Sequence, residues 1–100
     1  MHSKHINKNK NNYSIKHSFL AIAKNKLTSK EKQVIIFLSR EGFRENITQT
    51  VNNISSSIRF STSTVWFIVR KLISIGIIDN NSKDELSLSK AALFLVKEGL

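Results

Sequence analysis

Side chains able to do covalent chemistry are sparse in this chain, and their spacing does not assemble them. There is no cysteine, which removes disulfides and thiolate nucleophiles. His2 and His5 are spaced as a ligand pair, but two histidines in a polar tail fall short of the three or four protein ligands that a zinc site uses. His17 reads as a surface residue. Of the seven acids, Glu41, Glu45, Asp79, Asp84 and Glu85 fall in loops or a hairpin, and Glu31 is taken up by a helix cap. The sequence has no glycine-rich phosphate loop and no nucleophile beside a base. The chain is therefore read as a non-enzyme with no cofactor and no metal. What remains is a different chemistry. The hydroxyls of Ser61, Thr62, Ser63 and Thr64 are followed by Arg70 and Lys71, and hydroxyls at a helix start with cations further along are groups that hold phosphate.

The charge distribution points the same way. The formal charge is +9; residues 1–26 carry six lysines and no acid (+6), and residues 27–100 carry ten basic and seven acidic residues (+3). From Asn46 to Ile78 there is no Asp or Glu. An acid-free stretch inside a folded domain suggests an anionic partner. Codon usage in an AT-rich genome, which favours Lys, Asn and Ile, is the alternative source of the basic tail and, with less weight, of the acid-free middle. One hundred residues make one domain with a tail. No apolar run approaches the length that spans a membrane, and the basic N-terminus lacks the apolar stretch of a signal peptide. Both features, with the missing cysteine, fit a cytoplasmic protein.

The elements that must position these groups follow from periodicity and caps. Residues 1–12, MHSKHINKNKNN, are polar, basic and of low complexity, and are expected to be a disordered basic tail. The domain is expected to run over 13–100. Ile15, Phe19, Ile22 and Ala23 mark one face of a leading helix over 13–26. Thr28-x-x-Glu31 is a capping-box pattern that opens a helix centred on Val34–Leu38 and ended by Gly42. Asn46-Ile47-Thr48 reads as a short strand. Val51, Ile54, Ser55 and Ile58 give a two-turn helix over 50–58 with a small residue inside. Ser61 caps a further helix, Ser61–Ile75, on which Val65, Ile68, Val69 and Leu72 form a narrow apolar stripe. Gly76 stops it. Ile77 and Ile78 start an extended piece, Asn80–Asp84 turn, Leu86 and Leu88 share one side of a return strand, and Ser89 caps a last helix from Lys90 to about Glu98.

Two short helices joined by a tight turn and followed by a hairpin is a winged helix-turn-helix layout. The stretch Thr50 to Ile78, TVNNISSSIRFSTSTVWFIVRKLISIGII, resembles the core of winged helix-turn-helix transcription regulators, the group that includes MarR and ArsR repressors. The matching positions are the apolar Val51, Ile54, Ile58 and Phe60, the S-x-S-T-V run at Ser61, Ser63, Thr64 and Val65, the aliphatics Val69 and Leu72, and Gly76, Ile77 and Ile78. The likeness extends more loosely over Leu27 to Leu100. It implies a mainly α fold with a small β-hairpin and extra N- and C-terminal helices. It also implies a DNA-binding regulator whose helix Ser61–Ile75 enters the major groove. The residues expected on the DNA are Arg59, Ser61, Thr62, Ser63, Thr64, Phe67, Arg70 and Lys71.

Several residues depart from that pattern. Phe67 falls in the middle of the exposed face of the recognition helix, where the family more often has a polar or basic side chain; it meets either a thymine methyl or another protein. Trp66 lies at the edge of the apolar stripe and is read as packing under a neighbour. Arg59 stands at the turn position where the family favours Gly. The hairpin from Asp79 to Glu85 holds three acids and Lys83, a poor phosphate clamp. The basic tail is either an arm along DNA or a solubilising leader. Ala91–Val96, AALFLV, is apolar nearly all round. With the leading helix it either closes a monomeric core or forms a two-fold homodimer through residues 13–26 and 89–100. The lead expectation is a nucleoid-associated, dimeric regulator on double-stranded DNA. The alternatives are a winged-helix protein-interaction module and general chromatin-type binding.

Overall fold

Among the described residues, Thr28 begins the first full helix by bonding in both directions. Its hydroxyl accepts from the Glu31 N–H at 3.1 Å, and its own N–H donates to Glu31 Oε1 at 2.9 Å. This is the expected capping box, and it opens α1, Ser29–Glu41. A computed structural model describes residues 26–82 and 85–100. The expected tail (1–12), nearly all of the leading helix (13–26), the three histidines and two hairpin residues, Lys83 and Asp84, lie outside the described residues. Gly42 closes α1 at φ 76°, donating its N–H to the Leu38 carbonyl. That left-handed backbone costs a glycine little.

The expected strand at Asn46-Ile47-Thr48 is corrected to a helix start. Asn46 is the N-cap of α2, Ile47–Ile58, and its side chain accepts from the Gln49 N–H at 2.9 Å. An Asn oxygen meets an orphan N–H of the first turn better than an extended backbone would. Thr50, buried, adds two bonds: its hydroxyl donates to the Asn46 carbonyl and accepts from the Arg44 N–H. The helix therefore begins three residues earlier than its apolar spacing suggests.

A three-residue turn, Arg59 to Ser61, leads into α3, Thr62–Ser74. Ser55 ties the turn down from inside α2 by donating its hydroxyl to the Phe60 carbonyl. Ser61 is the N-cap of α3, as expected, and accepts from the Thr64 N–H at 3.2 Å. Ile75 caps the far end, and Gly76 reverses the chain at φ 85°.

Antiparallel strands β1, Ile78–Ser82, and β2, Glu85–Leu88, pair Ile78 with Leu88, Asp79 with Ser87 and Asn80 with Leu86; the register shifts before Ser82 meets Glu85. The turn expected at Asn80–Asp84 is thus shorter, because pairing runs on to Ser82. Ser89 then does two jobs. Its N–H donates to the Ile77 carbonyl, closing the base of the hairpin, and its hydroxyl accepts from the Ala92 N–H to cap α4, Lys90–Lys97.

The described residues are mainly helical, with four helices and one two-stranded hairpin. Their core joins Val34, Ile35 and Leu38 of α1, Val51 and Ile54 of α2, Val65, Ile68, Val69 and Leu72 of α3, Ile77 and Ile78, and Ala92 and Leu95 of α4. The α3 stripe read from the sequence is the centre of this core: all four of its members are buried. Leu86 and Leu88 pack against it from β2, partly buried, as their alternation suggests. No described helix is long and apolar enough to cross a membrane.

Candidate nucleic-acid interface

The apolar stripe of α3 faces inward, so the opposite side is left to solvent. Ser63, Phe67, Arg70 and Ser74 are all exposed on it, Thr62 is exposed in the first turn, and Arg59 is exposed just before the helix. The N-terminal turn of α3 directs backbone N–H groups and their partial positive charge outward, although that of Thr64 is taken by the Ser61 cap. Its hydroxyls are not equivalent. Ser61 accepts from the Thr64 N–H and donates to Thr64 Oγ1 at 2.8 Å, with Ser63 Oγ 3.4 Å away. The Ser61 and Thr64 hydroxyls therefore shape the helix start, while Thr62 and Ser63 extend the outer surface.

Arg59 has φ 61° and ψ 39°, left-handed, and it is the one non-glycine residue with positive φ among those described. This is the geometry for which glycine is usual; for an L-residue it costs roughly 1–2 kcal/mol. The position keeps a strained arginine at the corner between α2 and α3.

Phe67 is 71% exposed, so the domain does not absorb its ring. Trp66, in contrast, is half-buried and packs against the core, as its place at the stripe edge suggests. The guanidinium of Arg70 lies over its ring at 5.3 Å from the centroid. Lys30 of α1 sits at the same distance from the Phe60 ring in the turn. A charged aromatic contact thus flanks α3 at its entrance and in its middle.

Lys71 does not stand free beside Arg70. Its ammonium is 2.8 Å from Glu31 Oε2, with the lysine side chain 40% and the glutamate side chain 4% exposed. Burial pushes the Glu31 carboxyl up. The hydrogen bonds from Lys71 and the Thr28 N–H, with the attraction of the Lys71 charge, outweigh that effect and hold it below its ordinary value of 4.5. Glu31 therefore serves the cap, as the sequence indicates, and also a pairing that the sequence does not indicate. Nothing local in either segment announces a contact between α1 and α3.

Two further features escaped sequence reasoning. Arg44, in the α1–α2 connection, donates from Nε and Nη2 to the Asn53 side-chain oxygen at 3.1 and 3.3 Å when that amide is turned to receive it. An open cleft of about 230 Å³ lies along α1, lined by Gln33, Ile36, Phe37, Arg40, Glu41 and Ile58. The spacing of Gln33, Ile36, Phe37 and Arg40 marks one helix face and was the available signal. The hairpin shows Asp79 and Glu85 exposed, giving that surface an acidic character. On α4, Ala92 and Leu95 are buried while Leu93 is 53% exposed, so its apolar residues divide between the core and the outside.

No family model, curated protein or solved structure matches this chain.

Proposed function

We propose that this protein is a transcription regulator of the winged helix-turn-helix type that binds double-stranded DNA through α3. The observation that carries the reading is the outer face of α3. Hydroxyls at its N-terminus, Arg59 at the corner and Arg70 along its length are exposed together, in a stretch with no acid of its own from Asn46 to Ile78. The N-terminal turn suits a phosphate, and an arginine further along the helix suits a guanine edge or a second phosphate. In this arrangement Ser61 and Thr64 set the helix start, Thr62 and Ser63 meet the backbone, and Phe67 packs on a thymine methyl. The β1–β2 hairpin is the wing, and its acids make it a weak phosphate clamp. The regulator works on the nucleoid in the cytoplasm as a homodimer. Its subunits join through residues 13–26 and 89–100, with Leu93 as the exposed apolar contribution of α4.

Selection from random duplex DNA tests this directly. The expected result is an enriched sequence in two related half-sites. Absence of any duplex binding at low salt sinks the proposal, and enrichment of nothing despite binding leaves general chromatin-type association. A clean monomer at micromolar concentration in a solution size measurement removes the dimer alone.

The exposure of Phe67 favours one second reading, a protein-interaction module in which Phe67 and the acidic hairpin meet a partner protein. A large apolar side chain on a surface otherwise polar is a natural interface anchor.

A further inference from the structure

The stretch from Asn46 to Ile78 has no acid of its own, yet α1 delivers one into it. Thr28 N–H holds Glu31 Oε1 at 2.9 Å, which leaves Oε2 facing Lys71 Nζ at 2.8 Å. The carboxylate is nearly buried, at 4% side-chain exposure, and its orientation is already fixed by the cap. An exposed pair of two floppy side chains is worth little because water screens it and both must be ordered. Here one partner is ordered and shielded beforehand. Lys71 is a compact ammonium on a flexible stem, 40% exposed, next to the helix face that carries Arg70.

We infer that Glu31 acts as an internal stand-in for phosphate, neutralising Lys71 and withholding its charge from DNA. Glu31 is a positioning residue in this scheme; it does not touch the nucleic acid. The inference rests on the DNA reading above and specifies its electrostatics. Sequence-independent affinity grows with every phosphate that a cation neutralises. A lysine kept on Glu31 trims that general affinity while Arg70 and Arg59 remain outward. The protein then depends more on contacts that read bases.

The test is a salt titration of a random-sequence duplex with the full chain, by fluorescence anisotropy. Glu31→Gln keeps an acceptor for the Thr28 N–H, since Gln serves a capping box as Glu does, but releases Lys71. The expected result is a salt slope steeper by about 0.9 and binding about five-fold tighter near 0.15 M salt, the effect of one added phosphate contact. Adding Lys71→Met to that variant should return both values to wild type. Glu41→Gln, which removes an exposed acid of α1 not paired with Lys71, should leave the slope alone. An unchanged slope in Glu31→Gln, or an equal gain in Glu41→Gln, overturns the inference while leaving the DNA reading intact. No binding by either wild type or Glu31→Gln overturns the DNA reading, and this inference with it. Should Glu31→Gln fail to fold, Lys71→Gln decides. A withheld lysine leaves the slope within about 0.2 of wild type, whereas a lysine already on phosphate flattens it by about 0.9.

Discussion

The guanidinium of Arg70 rests over the ring of Trp66, one helical turn before it on α3, at 5.3 Å from the centroid. The ring is half-buried against the core, so it is a fixed platform, and the arginine above it loses less freedom on meeting a ligand than an unsupported one. Trp66 thus joins the interior of the domain to its outer face. Replacing Arg70 with Ala should weaken duplex binding by about 1–3 kcal/mol if the guanidinium meets a base edge. Thermal stability should fall by no more than about 1 kcal/mol, the usual size of an exposed cation–π contact. Trp66→Leu should give a smaller binding loss with the charge retained. Anisotropy titrations beside melting curves separate these effects.

Arg59 invites a stability measurement. Glycine relieves its left-handed strain of roughly 1–2 kcal/mol and returns roughly 0.5–1 kcal/mol of that through the greater freedom of the unfolded chain. Arg59→Gly should therefore stabilise the domain by about 0.5–1 kcal/mol in urea unfolding. DNA affinity should drop and its salt dependence should flatten by about 0.9, one phosphate contact. A variant both less stable and equally avid would refute this account of the corner.

Acid should loosen the α1–α3 connection. The Glu31 carboxyl is held below its ordinary 4.5 in the folded protein. The stability it contributes is therefore complete above that unfolded value and is lost as pH falls through the lower folded value. Unfolding followed by circular dichroism from neutral pH down past pH 4.5 should show this loss in wild type. Glu31→Gln should have a flatter acid limb over the same range. Parallel curves for the two proteins would assign acid sensitivity to other groups.

Phe67→Ala should leave stability within about 0.5 kcal/mol, because the ring is 71% exposed and surface changes away from special features are small. Its functional effect separates the two readings. Lost sequence preference with retained general DNA binding places the ring against a base. Intact DNA binding with loss of a protein partner places it in a protein interface.

Caps and stops were the most legible features of the sequence. Thr28 with Glu31, Ser61, Ser89, Gly42 and Gly76 announce themselves because each acts within three or four residues of its own position. The buried stripe of α3 was equally plain, since helical period alone sorts Val65, Ile68, Val69 and Leu72 to one side. Asn46 reads as extended because Asn-Ile-Thr has extended character locally; what makes it a cap is Thr50 and the first turn of α2, which a short window does not weigh. The hairpin pairs beyond its expected turn because polar Asn80 and Asn81 signal a turn, while the ladder opposite Glu85 decides otherwise. Of the candidate interface, the exposed hydroxyls and Arg70 were readable from angles on one helix. The engagement of Lys71 with Glu31 was not, because it joins residues far apart in sequence whose neighbours give no sign of each other.

Ser89 has a mechanical consequence. One residue fixes the base of the hairpin through Ile77 and the start of α4 through Ala92, so the ladder and the last helix share a single origin. A residue inserted into β2 would either slip the strand by one, turning its side chains to the other face, or move Ser89 off the Ile77 carbonyl and the start of α4 with it. Added length is accommodated at the far end, between Ser82 and Glu85, where neither origin is disturbed. The reach of the hairpin can be altered there independently of the body that carries it.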